Sequence, residues 1–214
     1  PQCSNEITVI PDLLELLDLE GATVTLDAMG CHKGIADTII EQGGQDLLSL
    51  KGNHKTLFQT VADLFEDTLS STQPVDKADS FDVAHGRQEE RTCYVIPVAP
   101  HAQRFKLADC ELTAWTHLQT FIMVEANTLR QGERSKHRRF FLSSLSCSAA
   151  EALAKVRQHW SIENQQHYPL DVLFHEDASR NRKGFLAQNV AALPRLSLNL
   201  LNLDTSTKLS KRRK

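Results

Sequence analysis

Two residues far apart in the chain have types and surroundings that could do metal chemistry. Asp27 follows the apolar, β-branched run 22–26 and so stands at the end of a predicted strand. Glu163 lies within His159-Trp160-Ser161-Ile162-Glu163-Asn164, a segment that we expect to be partly helical. An aspartate on a strand and a glutamate on a helix are the kind of ligands that hold divalent ions for reactions at phosphodiesters.

The helical segment also offers a second kind of metal site. His159, Glu163 and His167 lie four residues apart, so on an α-helix they would share one face. Asp171 would come next if the helix continued past Pro169. Imidazole and carboxylate groups at this spacing could chelate a metal ion. The other interpretation is an exposed polar helix face with no chemical role.

Simple structural interpretations also remain open for Asp27 and for the basic clusters. A strand-terminal aspartate often serves only as a turn or helix-capping residue. Basic residues gather at 130–139 and in the polar tail 205–214. Such clusters could bind phosphates, which attract Lys and Arg without regard to base sequence, or could be solvated surface.

The composition excludes several classes of protein. With 214 residues and a net charge of −3, the chain suits one globular domain and not a protein that coats polyanions. The five cysteines are widely spaced without a C-x-x-C pair, which favours a reducing cytoplasm over a disulfide framework or zinc ribbon. No apolar run approaches membrane-spanning length, and P-loop, G-x-G-x-x-G and G-x-S-x-G motifs are absent.

Strands and helices alternate in the first third of the sequence. The elements predicted from hydrophobic periodicity are helix 5–17, strand 22–26, helix 33–42, strand 46–50 and helix 55–69. This order predicts an α/β fold with a buried parallel sheet. Asp27 and Lys51 would then lie beyond the carboxyl ends of neighbouring strands, where open α/β sheets bind ligands.

The remainder of the chain changes towards strands and then returns to helices. The predicted elements are a linker at 70–80, strands at 92–98, 120–128 and 139–143, a basic turn at 130–139, and a final helix at 184–203. Ser148 is expected to cap a helix running towards Glu163, with Glu151 as its capping-box partner. Pro194 should kink the final helix.

Several ordered motifs together resemble one known family. The motifs are Ser4-Asn5-Glu6-Ile7-Thr8, Thr25-Leu26-Asp27-Ala28-Met29-Gly30, Leu50-Lys51-Gly52-Asn53, Phe141-Leu142-Ser143-Ser144-Leu145, His159-Trp160-Ser161-Ile162-Glu163-Asn164 and Leu170-Asp171-Val172-Leu173-Phe174-His175-Glu176-Asp177. In this order and proportion they resemble the ISAs-type insertion-sequence transposases, also called H-repeat-associated proteins. These are DDE transposases with a ribonuclease-H-like core. The resemblance covers nearly the whole chain.

The resemblance implies metal-dependent cleavage and transfer of DNA strands at the ends of an insertion sequence. Asp27 corresponds to the second aspartate of the family and Glu163 to its glutamate, and together they would hold Mg²⁺ or Mn²⁺. Residues 1–214 would be a partial DDE catalytic domain, with 75–145 as an inserted β-rich subdomain. The implied partners are the transposon ends, the target DNA, and a second or intact copy of the transposase, with no role for a membrane.

Seven residues are expected to contact DNA. These residues are Lys51, Asn53, Arg138, Arg139, His159, Asn164 and Arg180.

The resemblance also indicates that this chain is a truncated copy. The first aspartate of the family lies in an Asp-Gly-Lys motif upstream of the Ser4-Asn5-Glu6 segment, and the chain begins at Pro1. We therefore expect the first strands of the core to be missing and the copy to be inactive. One alternative is a catalytically silent remnant that binds DNA or an intact transposase. The other is an unrelated metal hydrolase built on His159, Glu163 and His167.

Overall fold

The computed structural model describes residues 6–84, 86–108, 115–178, 180, 185–204 and 206. The α-helices in this part are α1 (Glu6–Leu14), α2 (Lys33–Glu41), α3 (Lys55–Ser70), α4 (Ala102–Leu107), α5 (Ala149–Ile162), α6 (Tyr168–Val172) and α7 (Leu186–Leu203). The strands are β1 (Thr23–Leu26), β2 (Gln45–Leu50), β3 (Asp76–Ala84), β4 (Arg87–Pro97), β5 (Thr120–Arg130) and β6 (Glu133–Ser143). Short 3-10 turns cover Gly52–His54, Ala99–His101 and Glu176–Ala178, and a π-helical turn covers Glu163–His167.

The described strands form one mixed sheet in the order β1-β2-β6-β5-β4-β3. β1 and β2 are parallel, as predicted, with Leu26 opposite Leu48. The other neighbouring pairs are antiparallel, so the prediction of a parallel sheet is correct for β1 and β2 only. Parallel pairing requires a crossover, which α2 provides, and it places the carboxyl ends of β1 and β2 at the same edge of the sheet.

The β-rich part of the chain is more extensive than its sequence pattern indicates. β3 begins at Asp76, inside the predicted linker 70–80, because this edge strand carries polar residues that resemble a loop. The predicted basic turn at 130–139 is wrong, since the turn is only Gln131 and Gly132 and β6 starts directly after it. Because β6 pairs with β2, this section continues the same sheet. Its status as an insertion stays a prediction.

Helices cover both faces of the sheet. Leu47 of β2 packs in the same apolar cluster as Leu153 of α5. Leu48 and Leu50 pack in a separate cluster with residues of α3, including Phe65. Successive side chains of a strand point to opposite faces, so a strand buried between two helical layers must be apolar on both. This explains why Leu47, Leu48 and Leu50 are apolar although they lie on both faces of β2.

The predicted capping box at the start of α5 is confirmed. The Ser148 Oγ accepts a hydrogen bond from the Glu151 N–H at 3.3 Å, and the Glu151 carboxylate accepts one from the Ser148 N–H at 2.9 Å. These reciprocal bonds satisfy N–H groups that the first turn of a helix leaves unpaired. The Ser148 N–H and Oγ–H both donate to the Glu151 carboxylate and so lower the pKa of Glu151 below its ordinary value.

The chain divides into two compact units, Pro1–Val156 and Arg157–Lys214. The second unit holds the end of α5, the π-helical turn, α6 and α7, which confirms the predicted final helix. Its most buried leucines are Leu170 and Leu198, 4% and 2% exposed. Pro194 lies inside α7, and the kink predicted there stays a prediction. None of the helices in the described part of the chain has the length and apolar character to cross a membrane.

Candidate functional site

Asp27 lies directly after β1 and organises the turn that follows. Its side chain is exposed, and its Oδ1 accepts hydrogen bonds from the backbone N–H groups of Met29 and Gly30, at 2.9 and 3.3 Å. An aspartate commonly forms such bonds with backbone groups two or three residues ahead. The turn role that the sequence left open is therefore present. Within the described part of the chain, Oδ2 has no hydrogen-bond partner and could face a ligand.

Gly30 is needed for the shape of this turn. It is buried, and a Cβ added there would lie 2.9 Å from the Cβ of Leu26. Real side chains do not approach so closely, so either the strand or the turn would have to move. The Leu26-Asp27-Ala28-Met29-Gly30 segment thus packs back on the strand that carries Asp27.

The segment after β2 holds the Asp27 turn from the neighbouring strand. Asn53 donates from Nδ2 to the backbone carbonyl of Ala28 at 2.8 Å. The His54 Nε2 lies 2.7 Å from the carbonyl oxygen of Cys31. Lys51 is exposed at the end of β2. Asp27 and Lys51 follow neighbouring parallel strands, as predicted, while contact of Lys51 and Asn53 with DNA stays a prediction.

His54 is a residue of this site that the sequence analysis missed. Its ring is half-buried and stands edge-on to Trp115, with ring centroids 5.7 Å apart. The only signal in the sequence is its position directly after Asn53, because nothing in the local pattern shows which distant carbonyl a histidine will meet.

The basic residues of β6 are engaged by acidic neighbours. Arg138 bonds from Nε to the Glu125 carboxylate at 2.7 Å and also pairs with Glu66 of α3. The Glu125 hydrogen bond, with that of Glu66, raises the pKa of Arg138 despite partial burial. Lys136 pairs with Glu125 at 2.9 Å. Arg139, the next residue after Arg138, points to the opposite face of the strand. A single DNA backbone cannot approach both arginines from one side.

The pKa of Glu125 is shifted by the same contacts with Lys136 and Arg138. Burial raises its pKa, but the hydrogen bonds and charges of Lys136 and Arg138 outweigh burial and bring the pKa below its ordinary value. The carboxylate therefore remains ionised across the neutral range and holds both basic groups against the sheet. Two of the five Lys and Arg residues of the 130–139 cluster, Lys136 and Arg138, are thus paired with acidic groups.

The helical region around Glu163 departs from a regular α-helix. α5 ends at Ile162, the π-helical turn spans Glu163–His167, and helix resumes in α6 with Pro169 inside it. Pro169 lacks an N–H and its ring crowds the carbonyl four residues earlier, and a wider turn just before it relieves that conflict. The α-helix expected at Glu163 and His167 is thus replaced by a π-helical turn, while their grouping at a metal ion stays a prediction.

The predicted ligands of the second unit are placed only in part. His159 is half-buried with its ring edge-on to Trp160, centroids 5.9 Å apart, and Arg180 is exposed. The side chains of Glu163 and Asn164 lie outside the described part of the structure, as does the tail 205–214 except for Ser206. Among the described residues, no three His, Cys, Asp or Glu side chains are grouped to hold a metal ion. The convergence of Asp27 and Glu163 stays a prediction.

The most strongly perturbed carboxyl group lies elsewhere in the sheet. Asp46, at the amino-terminal end of β2, is 5% exposed, and its burial raises its pKa to about 6. Its Oδ1 accepts a hydrogen bond from the Ser144 N–H at 3.0 Å, and its own N–H donates to the Ser144 Oγ at 2.8 Å. These bonds tie the start of β2 to the end of β6, so the perturbation belongs to a structural contact.

Comparison with known proteins places the chain among transposases. A family model described as a transposase DDE domain matches residues 1–200. YncI of Escherichia coli O157:H7, named as a candidate transposase, is 36% identical over 203 residues, covering 92% of this chain and 50% of the relative. YhhI of Escherichia coli strain K12, named as an H repeat-associated candidate transposase, is 32% identical over 211 residues, covering 99% of this chain and 55% of the relative.

The chain spans about half the length of these curated relatives. A further relative, YbfL of Escherichia coli strain K12, is 33% identical over 211 residues, covering 99% of this chain and 55% of its own length. No solved structure matches the chain.

Proposed function

The chain belongs to the DDE transposases of the H-repeat-associated family, and on that premise we propose that it supplies part of a centre for metal-dependent DNA strand cleavage and transfer. The observation that carries this proposal is the exposed Asp27 at the carboxyl end of β1, inside the matched domain. The described cysteines Cys31, Cys93 and Cys147 are free thiols, in keeping with the cytoplasm as the proposed compartment.

The donor chemistry of Asp27 fits a hard divalent cation. Mg²⁺ and Mn²⁺ prefer carboxylate oxygens and usually keep several waters, so an exposed carboxylate at a strand end suits them better than it suits zinc. When bound in such centres, these ions activate the attacking oxygen and stabilise the leaving oxygen of a phosphodiester. The part of Asp27 would be to hold the ion with Oδ2 while Oδ1 remains bonded to its own turn.

Glu163 is the proposed second ligand of the same centre. Metal titration tests this, with Mn²⁺ bound to the purified chain measured by electron paramagnetic resonance for Asp27→Asn, Glu163→Gln and the double variant. If both carboxylates hold one ion, the double variant should lose little more affinity than either single variant, because residues that share a partner are not additive. Asp171→Asn removes an exposed acid of α6 and serves as the control. Independent, additive losses would overturn the shared site.

DNA binding by the exposed basic residues is the next part of the proposal. Each Lys or Arg that neutralises a phosphate contributes about 0.9 to the slope of log affinity against log salt. Lys51→Ala should reduce that slope by about one, since Lys51 stands beside the Asp27 turn. Arg138→Ala should reduce it by less, because Glu66 and Glu125 already neutralise Arg138. Fluorescence anisotropy with duplex DNA at several salt concentrations measures both slopes.

We also propose that these 214 residues, tested by themselves, do not cleave DNA. They offer two of the three carboxylates that the family resemblance implies, and phosphoryl transfer depends on close placement of the ions. The test is strand cleavage of DNA carrying the element's ends in Mn²⁺, with Glu163→Gln as the control. Cleavage by the unaltered chain that the control lacks would contradict this part of the proposal.

A second candidate function is binding to another copy of the transposase without catalysis. A stripe of leucines on α7 favours it: Leu193, Leu196, Leu200 and Leu203 recur every three or four residues and are 58–78% exposed. Leucines at that spacing form the contact seam between paired helices. Sedimentation of the chain with and without Leu200→Lys tests the idea, since the charge would break such a seam. A concentration-independent monomer in both would reject it.

A further inference from the structure

Asn53 and His54 reach two carbonyls of one short loop. The loop is the Asp27–His32 connection between β1 and α2, and its Ala28 and Cys31 carbonyls receive the two side chains at 2.8 and 2.7 Å. A carbonyl oxygen can only accept, so the Nε2 of His54 must carry the proton in this contact. Two consecutive residues of the 3-10 turn before α3 thus anchor the loop.

The two anchors lie on either side of the bonds made by Asp27. The Asp27 Oδ1 binds the N–H groups of Met29 and Gly30, which fall between the two anchored carbonyls. The carboxylate therefore fixes the N–H groups of the loop while the segment after β2 fixes its carbonyls. Without the anchors, the N–H groups would be free to turn away, and the carboxylate would lose its fixed direction.

The residues around the two anchoring side chains belong to the hydrophobic core. Cys31 is 2% exposed and belongs to the same apolar cluster as Trp115, against whose ring His54 packs edge-on. Leu57, in the first turn of α3, is buried in that cluster too. Side chains held by packing of this kind can fix a neighbouring group more closely than a mobile loop could.

We propose that Asn53 and His54 are positioning residues that hold the Asp27 carboxylate in the direction needed to bind a divalent cation. This rests on the proposed metal-binding role of Asp27. The expected consequence of losing either donor is faster hydrogen exchange at Met29 and Gly30 together with weaker cation binding. The overall fold should persist when the Asn53 donor is removed, because Asn53 is exposed.

Amide hydrogen exchange of the isotope-labelled chain, read by NMR, tests the positioning itself. Asn53→Leu keeps the approximate size of the side chain, removes the donor and adds no charge, and it should speed exchange at Met29 and Gly30 by about fivefold, the effect of one typical hydrogen bond. His54→Gln keeps an N–H donor and should preserve more protection than His54→Ala. Gln59→Ala, which removes an exposed amide of α3 that donates to Asp63, is the matched control. Unchanged exchange in Asn53→Leu would overturn the proposal.

Mn²⁺ titration of the same variants separates positioning from mere stability. Asn53→Leu should weaken Mn²⁺ binding several-fold, while its unfolding midpoint should stay close to that of Gln59→Ala. If the loss of Mn²⁺ affinity in every variant is proportional to the fall in its unfolding midpoint, the positioning role is rejected. Asp27→Asn judges the underlying function separately: unchanged Mn²⁺ affinity there would refute metal binding by Asp27, whatever the exchange data show.

Discussion

Asp27 and Asp46 stand on neighbouring parallel strands but at opposite ends of them. Asp27 is exposed just beyond β1, where its turn is held by Asn53 and His54. Asp46 is buried near the start of β2, where it bonds to Ser144 and its pKa is raised to about 6. A perturbed pKa is often taken as a sign of a functional site. Here Asp46, whose pKa is perturbed, connects two strands, whereas the exposed Asp27 is the aspartate open to a ligand.

The largest expected effect comes from removing the buried charge. The Asp46 pKa is 3.8 in the unfolded chain and about 6 in the folded one, so the folded chain holds this proton more tightly. Its stabilising contribution is complete below pH 3.8 and is lost as the pH rises through about 6. By neutral pH the loss amounts to about 2–3 kcal/mol. Asp46→Asn should remove this pH dependence and stabilise the chain at pH 7.

Urea unfolding from pH 4 to pH 7 measures this effect, with Asp27→Asn as the matched exposed aspartate. The difference in unfolding free energy between Asp46→Asn and the unaltered chain should grow across that range. Asp27→Asn should keep the part of the pH dependence that comes from Asp46. Equal pH profiles for Asp46→Asn and the unaltered chain would mean that Asp46 is ionised without penalty, and the contrast between the two aspartates would disappear.

Gly30→Ala tests the packing of the Asp27 turn and should have the next largest effect. The added methyl would lie 2.9 Å from the Leu26 Cβ, and relieving that contact should cost about 2 kcal/mol. Gly52→Ala is the matched control, because a Cβ at Gly52 meets nothing within 4 Å. Thermal unfolding compares the two. Equal midpoints would show that the turn moves freely, contrary to a fixed Asp27 carboxylate.

Ser144→Ala sharpens the description of the Asp46 contact and should have the smallest effect. It removes the oxygen that accepts the buried Asp46 N–H at 2.8 Å, which should cost about 1–2 kcal/mol. Ser80 is the matched control, since its buried Oγ has no hydrogen-bond partner among the described residues. Ser80→Ala should be neutral or slightly stabilising in the same chemical unfolding measurement. A neutral Ser144→Ala would indicate that water replaces its hydroxyl.

Local pattern was enough to predict much of the fold. The periodicity of α2 and α3, the apolar runs of β1 and β2, and the capping box of Ser148 and Glu151 all depend on residues within a few positions of one another. The same reasoning placed Asp27 and Lys51 at neighbouring strand ends, because a helix between two strands makes them parallel. The family resemblance rested on motifs of this local kind.

Other features depended on contacts between distant residues, and only the tertiary structure decided them. β3 has a polar sequence and becomes a strand by pairing with β4, and β6 reaches through the predicted basic turn because β5 lies beside it. Asp46 meets Ser144 98 residues away, and Asn53 meets Ala28 25 residues away. Periodicity shows which face of a helix or strand is apolar. It does not show which other element will pack on that face, or which distant acceptor a single hydrogen-bond donor will meet.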